Sequence, residues 1–161
     1  MRFLATLSVV FLALVQLTTA TAAERFVHSG VAKDAARYEA YLAANWKPGK
    51  SKPQELKAAG DKLLGSDLRA ASRSYALAVV AEPKDAESWI ALARALLAIK
   101  PDPEKGERYD LPVNASGAAY RAYERAGDDA ARARALAVLG EALQRRSSWR
   151  PALQALSASL V

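Results

Sequence analysis

Apolar residues recur along most of this chain at spacings of three and four, which is the period of an amphipathic helix. The clearest stretch runs from Ala86 to Ile99, where Trp89, Leu92 and Leu96 fall on one face. A second stripe predicts a helix from about Lys33 to Asn45. Because the sequence contains no run of short alternating strands, the pattern predicts an all-α fold.

Turn and capping residues separate the apolar stripes. Ser51 followed by Gln54 matches a capping box and predicts a helix that starts near residue 52. The run Gly65-Ser66-Asp67 predicts a turn between two helices. Asp85 and Asp129 stand where N-caps of the next helices are expected.

Small and large residues follow a repeating order within these stripes. In a tetratricopeptide repeat, positions 8, 20 and 27 of 34 are small, so that two antiparallel helices can approach closely, and 4, 7, 11 and 24 are large. The small positions here fall at Ala59, Ala71, Ala78, Ala93, Ala119, Ala126, Gly140, Ala152 and Ser159. The order resembles about 2.5–3 tetratricopeptide-like antiparallel hairpins, a class that binds partners and seldom catalyses. A generic array of alanine-rich hairpins is the rival interpretation, since 37 of the 161 residues are Ala.

These signals divide the chain into a signal peptide (1–23), a leader with an N-terminal helix (24–50) and a helical repeat domain (51–161). In the middle repeat, the small residue of repeat position 20 is due at residue 105 but comes only at Ala119. Fourteen residues are therefore inserted, within a segment at about 100–117. The insert holds three prolines with Tyr109 and Leu111, a composition that predicts a non-helical segment. An insert of this length in a compact repeat is usually functional or disordered.

The N-terminus has the composition of a cleaved secretory signal. Arg2 precedes the apolar run 3–17, and the small residues Ala20 to Ala23 suit a cleavage site. A membrane-anchoring helix is the alternative, but the threonines at 18, 19 and 21 dilute the end of the run. We therefore expect a periplasmic or secreted protein with no transmembrane anchor after cleavage. The chain has no Cys, which excludes disulfides, thiolate metal sites and a lipid-attachment cysteine.

The charge is modestly basic, +6 for the whole sequence and +5 once Arg2 is removed with the signal. Most basic residues alternate with acidic ones, and Arg145-Arg146 and the lysines near residue 50 are the main clusters. Export and the lack of a recognition motif disfavour nucleic acid as a partner. An anionic envelope polymer such as peptidoglycan remains an alternative partner.

No arrangement of residues in the sequence indicates catalysis, a cofactor or a metal ion. His28 is the single histidine and has no neighbouring ligands, and no glycine-rich phosphate loop is present. We therefore expect no enzyme activity and no cofactor. If the repeats stack normally, a partner-binding groove is expected at helix positions that face the concave side, together with the insert: Ile90, Arg94, Arg134, Glu141, Arg145 and Tyr109.

The C-terminal helix carries an apolar stripe for which the following sequence supplies no cover. Leu153, Leu156, Leu160 and Val161 lie at helical spacing. Exposed stripes of this kind promote association. The stripe predicts self-association through this helix or docking against downstream domains of a longer parent chain.

Three sequence stretches, residues 36–42, 46–49 and 109–119, resemble the N-terminal region of large bacterial proteins of the alpha-2-macroglobulin family. The resemblance implies that a signal peptide and a helical repeat segment precede β-domains that trap proteases in the periplasm. It also implies that any endopeptidase inhibition belongs to a longer parent protein, because this chain lacks the Cys of a thioester. No site residue of the family is transferred to this chain.

Overall fold

The computed structural model describes residues 26–160 and is all-helical over that range, so the predicted all-α fold is confirmed. Seven α-helices follow one another with a single 3₁₀ turn at Pro103–Lys105 in the described part. They are α1 (Ser29–Asn45), α2 (Pro53–Leu63), α3 (Leu68–Ala81), α4 (Ala86–Ala98), α5 (Glu107–Arg125), α6 (Asp129–Arg145) and α7 (Trp149–Ala158). The predicted signal peptide at 1–23 lies outside the described residues. Among the described helices, none combines the length and the apolar character that a membrane span requires.

Side-chain caps explain where several helices begin. Asp67 accepts a hydrogen bond from the Ala70 N–H at 2.9 Å and caps α3, and Asp85 caps α4 as expected. The N-cap of α6 is Asp128 rather than the predicted Asp129, because it is the Asp128 carboxylate that accepts from the Ala131 N–H.

Two further caps differ from what the sequence suggested. The capping contact of α2 falls one residue later than predicted, where the Glu55 carboxylate accepts from the Lys52 N–H at 3.3 Å. His28 has a structural contact of its own, since its Nδ1 accepts from the Val31 N–H and caps α1.

Each helix from α2 onward packs against the next one along the chain, and α4 also packs against α6. The buried side chains of this arrangement form one continuous core. Its largest members with almost no exposure are Trp89, Tyr75, Leu42, Leu92, Leu136, Leu139 and Leu143.

Small residues mark the points where neighbouring helices come closest. Ala71 and Ala93 are fully buried, as the spacing predicted. In α2, however, the buried small residue is Gly60, and Ala59 is exposed. A Cβ added at Gly60 would lie 2.6 Å from the Tyr75 ring, so the ring packs directly on the glycine.

The prediction of a non-helical insert at 100–117 is wrong for its second half. The helix α5 begins at Glu107, within the predicted insert, and Pro112 lies inside that helix. A proline inside a helix costs about 3 kcal/mol through its missing N–H and its ring. Burial of Leu111 and Ala115 beside it stabilises the helix against that cost, because both pack into the core.

The N-terminal helix α1 packs mainly on α5, far away in sequence. The crossing is tight at Gly117, where an added Cβ would lie 3.2 Å from the Cα of Ala35. Two ionic clusters flank the crossing. Glu39 forms an ion pair with Arg121, at 2.8 Å, and accepts a hydrogen bond from Arg125. Asp34 pairs with Arg146 of α6 at 2.8 Å.

The C-terminal stripe is exposed only in part. Leu156 packs toward α6, since a Cβ added at Gly140 would lie 2.5 Å from it. Leu153 and Leu160 are exposed by 65% and 87%. Val161 lies outside the described residues. Self-association through this helix stays a prediction.

The small positions provide a direct test of this packing. Replacing Ala93 by Leu is expected to lower the free energy of unfolding by about 1–3 kcal/mol, because a fully buried helix contact would be overpacked. Arg94→Ala, at the exposed neighbouring position, is expected to change stability by less than about 0.5 kcal/mol. Urea unfolding followed by circular dichroism measures both, and equal midpoints would contradict the packing described here.

Candidate partner-binding site

Of the six residues predicted to line a binding groove, five are exposed and one is buried. Ile90 is 2% exposed and lies in the core, so it is not available to a partner. Arg94 is exposed on α4. Arg134 of α6 forms an ion pair with Glu87 of α4. Glu141 and Arg145 follow Arg134 on the same helix at spacings of seven and eleven residues, which places all three on one face of α6.

Tyr109 and Arg145 are brought together by the structure. Both line an open pocket of about 330 Å³ between the first turns of α5 and the end of α6, and Tyr109 is 75% exposed there. We call this the arginine pocket, and its lining residues are Arg108, Tyr109, Pro112, Val113, Arg145, Arg146 and Ser147. Glu141 lies beside it through an ion pair of 2.7 Å to Arg145.

A second, smaller pocket adjoins the arginine pocket. It has a volume of about 170 Å³ and shares Arg108, Pro112 and Arg145 with it. We call it the apolar pocket, because its remaining walls are Leu96, Leu97, Ile99, Pro101 and Leu111. A charged rim and an apolar recess therefore lie side by side.

The three arginines differ in how far they are neutralised. Arg145 donates to Glu141 and to the Leu97 carbonyl oxygen, and Arg146 donates to Asp34 and, at 2.7 Å, to the Ser116 hydroxyl. Arg108 is exposed and makes no ion pair with any residue in the range 26–160. The pocket therefore keeps an uncompensated positive charge at Arg108.

Ser147 lines the arginine pocket in an uncommon backbone conformation. Its φ of 58° lies in the left-handed region, the only such value for a non-glycine residue in the described chain. The conformation ends α6, since the N–H groups of Ser147 and Ser148 donate to the carbonyls of Gln144 and Leu143. Glycine is the usual residue at this position, and a side chain there costs roughly 1–2 kcal/mol. The pocket thus gains a hydroxyl at a position where glycine would be less strained.

The first turn of α5, which carries Arg108 and Tyr109, is held by a network around Glu107. Both oxygens of the Glu107 carboxylate accept from the Arg69 guanidinium at 2.6 Å, and one also accepts from the Asp102 N–H. The Arg69 hydrogen bonds, followed by the Asp102 N–H, lower the pKa of Glu107 from 4.5 to about 2. Gly106, with φ of 71°, makes the sharp entry to this turn.

The lowered pKa of Glu107 predicts a specific dependence of stability on pH. A carboxylate with a depressed folded-state pKa stabilises the protein above its unfolded value, near 4.5, and loses that effect as the pH falls through about 2. Wild type should therefore melt at a higher temperature than Glu107→Gln at pH 7, and the gap should close between pH 4.5 and 2.

Thermal melts of the two proteins over this pH range measure the gap in melting temperature. The effects of the other carboxylates on stability cancel in this difference, because both proteins contain them. Glu82→Gln is the matched control, since Glu82 is exposed and unpaired among the described side chains. A gap for Glu107→Gln that persists at pH 2 would contradict the network.

Sequence reasoning missed Arg108 and Ser147 and treated Arg146 only as part of a basic run. Neither spacing nor composition shows which arginine stays unpaired, because the partners of the other arginines can be far away in sequence. Asp34 and Arg146, for example, are 112 residues apart. Within residues 26–160, no three His, Asp or Glu side chains come close enough together to hold a metal ion. No protein-family model, no curated protein and no solved structure matches this chain.

Proposed function

We propose that this chain is an exported, non-catalytic interaction module whose helices form three tetratricopeptide-like hairpins, α2 with α3, α4 with α5 and α6 with α7. Support comes from Ala93 and Gly140, which are buried at the small register positions of the second and third pairs. In the first pair the buried small residue, Gly60, lies one residue after the register position. In this arrangement α1 and the first half of α5 are additions to the repeat pattern. The repeats supply a rigid support for a binding surface.

The observation that carries the proposal is the arginine pocket. A large, exposed tyrosine and an unpaired arginine stand together beside an apolar recess, and Tyr and Arg are the side chains most enriched at the centres of protein interfaces. We propose that a protein partner, or downstream domains of a parent chain, docks at this pocket.

The parent protein that we propose is a periplasmic protease inhibitor of the alpha-2-macroglobulin type. Two of the three resembling stretches, 36–42 and 109–119, lie on α1 and α5, the helices that cross at Gly117. The residues that resemble the family therefore meet at one helix crossing, and this supports a domain common to this chain and the family. In this proposal the module is the N-terminal segment, and the inhibition itself belongs to the parent.

Site-specific photo-crosslinking tests the proposed function. A photoreactive amino acid replaces Tyr109 in the full chain, in cells of the source organism, and mass spectrometry identifies the adduct. Leu64, exposed by 42% in the turn between α2 and α3, is the control position. We expect one dominant protein adduct at Tyr109 and none at Leu64. No adduct at Tyr109, or the same adducts at both positions, would contradict the proposal.

Binding to peptidoglycan or another anionic polymer is the alternative outcome. Ion pairs already engage many of the basic side chains, including Arg69, Arg121 and Arg146, which leaves little concentrated charge. Pelleting with purified peptidoglycan at low salt, and its loss at moderate salt, would favour the polymer, because screening weakens exposed charges beyond about 10 Å at 0.1 M. Edman sequencing of the mature protein from the periplasm tests export and cleavage.

A further inference from the structure

The geometry points to a specific ligand chemistry for the two joined pockets: a segment of a protein partner in which a carboxylate stands beside an apolar side chain. This inference rests on the proposed function and names what the partner presents. The carboxylate would bind in the arginine pocket, and the apolar side chain would fill the apolar pocket.

Arg108 is the group that recognises the carboxylate. Its guanidinium is exposed and unpaired in the described chain, so it offers its full set of N–H donors to a ligand. The planar fork of Arg matches both oxygens of a carboxylate at once. Arg145 and Arg146 line the same pocket but are paired with Glu141 and Asp34, so within residues 26–160 Arg108 is its unpaired cation. Among the described residues that line the pocket, none carries a carboxylate.

The two hydroxyls of the arginine pocket suit the same ligand. Tyr109 and Ser147 both line it, and either hydroxyl can donate to an oxygen that the guanidinium leaves free. The strained backbone at Ser147 is consistent with a role for the serine side chain in the pocket. A glycine would relieve the strain but would supply no donor.

The apolar pocket sets the size of the neighbouring group. Its volume of about 170 Å³ is close to that of a dry cavity of about 150 Å³ that holds one benzene molecule. A side chain the size of Leu or Phe therefore fits. Because Arg108, Pro112 and Arg145 border both pockets, a carboxylate and an apolar side chain on the same residue or on adjacent residues can reach the two pockets together.

This combination favours a polypeptide over a polymer of sugars. An anionic polysaccharide would satisfy Arg108 but would leave the leucine-lined recess unfilled. A peptide provides both groups in two ways, either as a Glu or Asp next to Leu or as a C-terminal Leu with its free carboxylate. An internal acidic residue next to Leu and a C-terminal Leu present the same two groups, and peptide probes distinguish them.

Fluorescence anisotropy with labelled hexapeptides tests the inference on the full mature chain. Two probes carry both groups, Gly-Ser-Gly-Ser-Glu-Leu amide and Gly-Ser-Gly-Ser-Gly-Leu free acid. Two others lack one group each, Gly-Ser-Gly-Ser-Gln-Leu amide and Gly-Ser-Gly-Ser-Glu-Gly amide. We expect at least one complete probe to bind about tenfold or more tightly than both incomplete ones. The Gln-Leu probe lacks the charged hydrogen bond to Arg108, and the Glu-Gly probe lacks the side chain that fills the apolar pocket.

Variants at Arg108 connect the binding to the pocket. Arg108→Ala should weaken binding of the complete probe about tenfold or more. The affinity of Arg108→Lys should lie between those of wild type and Arg108→Ala, because lysine keeps the charge but lacks the planar guanidinium fork. Arg150→Ala removes another exposed arginine, one that lines neither pocket, and should leave binding unchanged. Unchanged melting temperatures confirm that the exposed substitutions leave the fold intact.

The result that would overturn the inference is equal binding of complete and incomplete probes, or of wild type and Arg108→Ala. Absence of any peptide binding while the Tyr109 crosslink still forms would overturn the ligand chemistry and leave the proposed function standing. Loss of both signals would remove both proposals.

Discussion

Replacing Trp89 by Ala is expected to lower the free energy of unfolding by about 3–5 kcal/mol, the range for truncating a buried tryptophan. Trp89 is 1% exposed in the first turn of α4. Its indole Nε1–H donates to the Pro83 carbonyl at 2.9 Å, and the Arg125 guanidinium lies 5.2 Å from the ring centroid. The substitution would leave a cavity, an unpaired carbonyl and a cation without its aromatic partner.

Urea unfolding followed by circular dichroism measures the loss without relying on tryptophan fluorescence. Trp149→Ala is the matched control, because Trp149 is 58% exposed on α7 and its removal should change stability by less than about 0.5 kcal/mol. Trp89→Phe should lie between the two, since it keeps an aromatic ring but loses the N–H donor. Equal unfolding midpoints for the two alanine variants would show that Trp89 is not central to the core.

Replacing Gly117 by Leu is expected to displace α1 and to cost up to about 3 kcal/mol. A Cβ at this position would already lie 3.2 Å from the Cα of Ala35 and 3.4 Å from the carbonyl oxygen of Asp34. Backbone atoms cannot rotate away as a side chain can, so α1 itself would have to move. Its ion pairs through Asp34 and Glu39 would then be strained or broken.

Hydrogen exchange locates the effect of Gly117→Leu. Amides of α1 should exchange faster in the variant, while those of α4 and α6 should change little. The control is Gly127→Leu, where an added Cβ meets no atom within 4 Å. Uniform loss of protection over all helices would argue that α1 does not dock as a separable element.

Helix starts could be predicted to within one residue where the deciding contact is local. Asp67 and Asp85 cap helices through N–H groups two or three residues away, so the sequence contains both partners. The same local rules failed at Pro112, where burial of the surrounding residues outweighs the preference of proline for a break. They also placed the small residue of α2 at Ala59 instead of Gly60, because only the Tyr75 ring shows which of the two is covered.

The candidate site was predictable only in fragments. Tyr109 and Arg145 were named from the sequence and do line one pocket, but Ile90 is buried by its neighbours in the core. The importance of Arg108 depends on what other arginines bind, and those partners come from distant helices. Arg146, for example, is neutralised by Asp34 of α1.

The docking of α1 has a consequence for how the chain folds during synthesis. The Phe26 N–H donates to the Tyr123 hydroxyl across 97 residues, and Asp34 reaches Arg146 across 112. Of the described helices, a ribosome makes α1 first, yet the surface that covers Tyr38 and Leu42 does not exist until α5 has emerged. The ion pair with Asp34 must wait for the end of α6. Closing such long loops is entropically costly and slows folding. Until α5 has been made, the nascent chain therefore carries α1 with its apolar face uncovered, the kind of surface that chaperones bind.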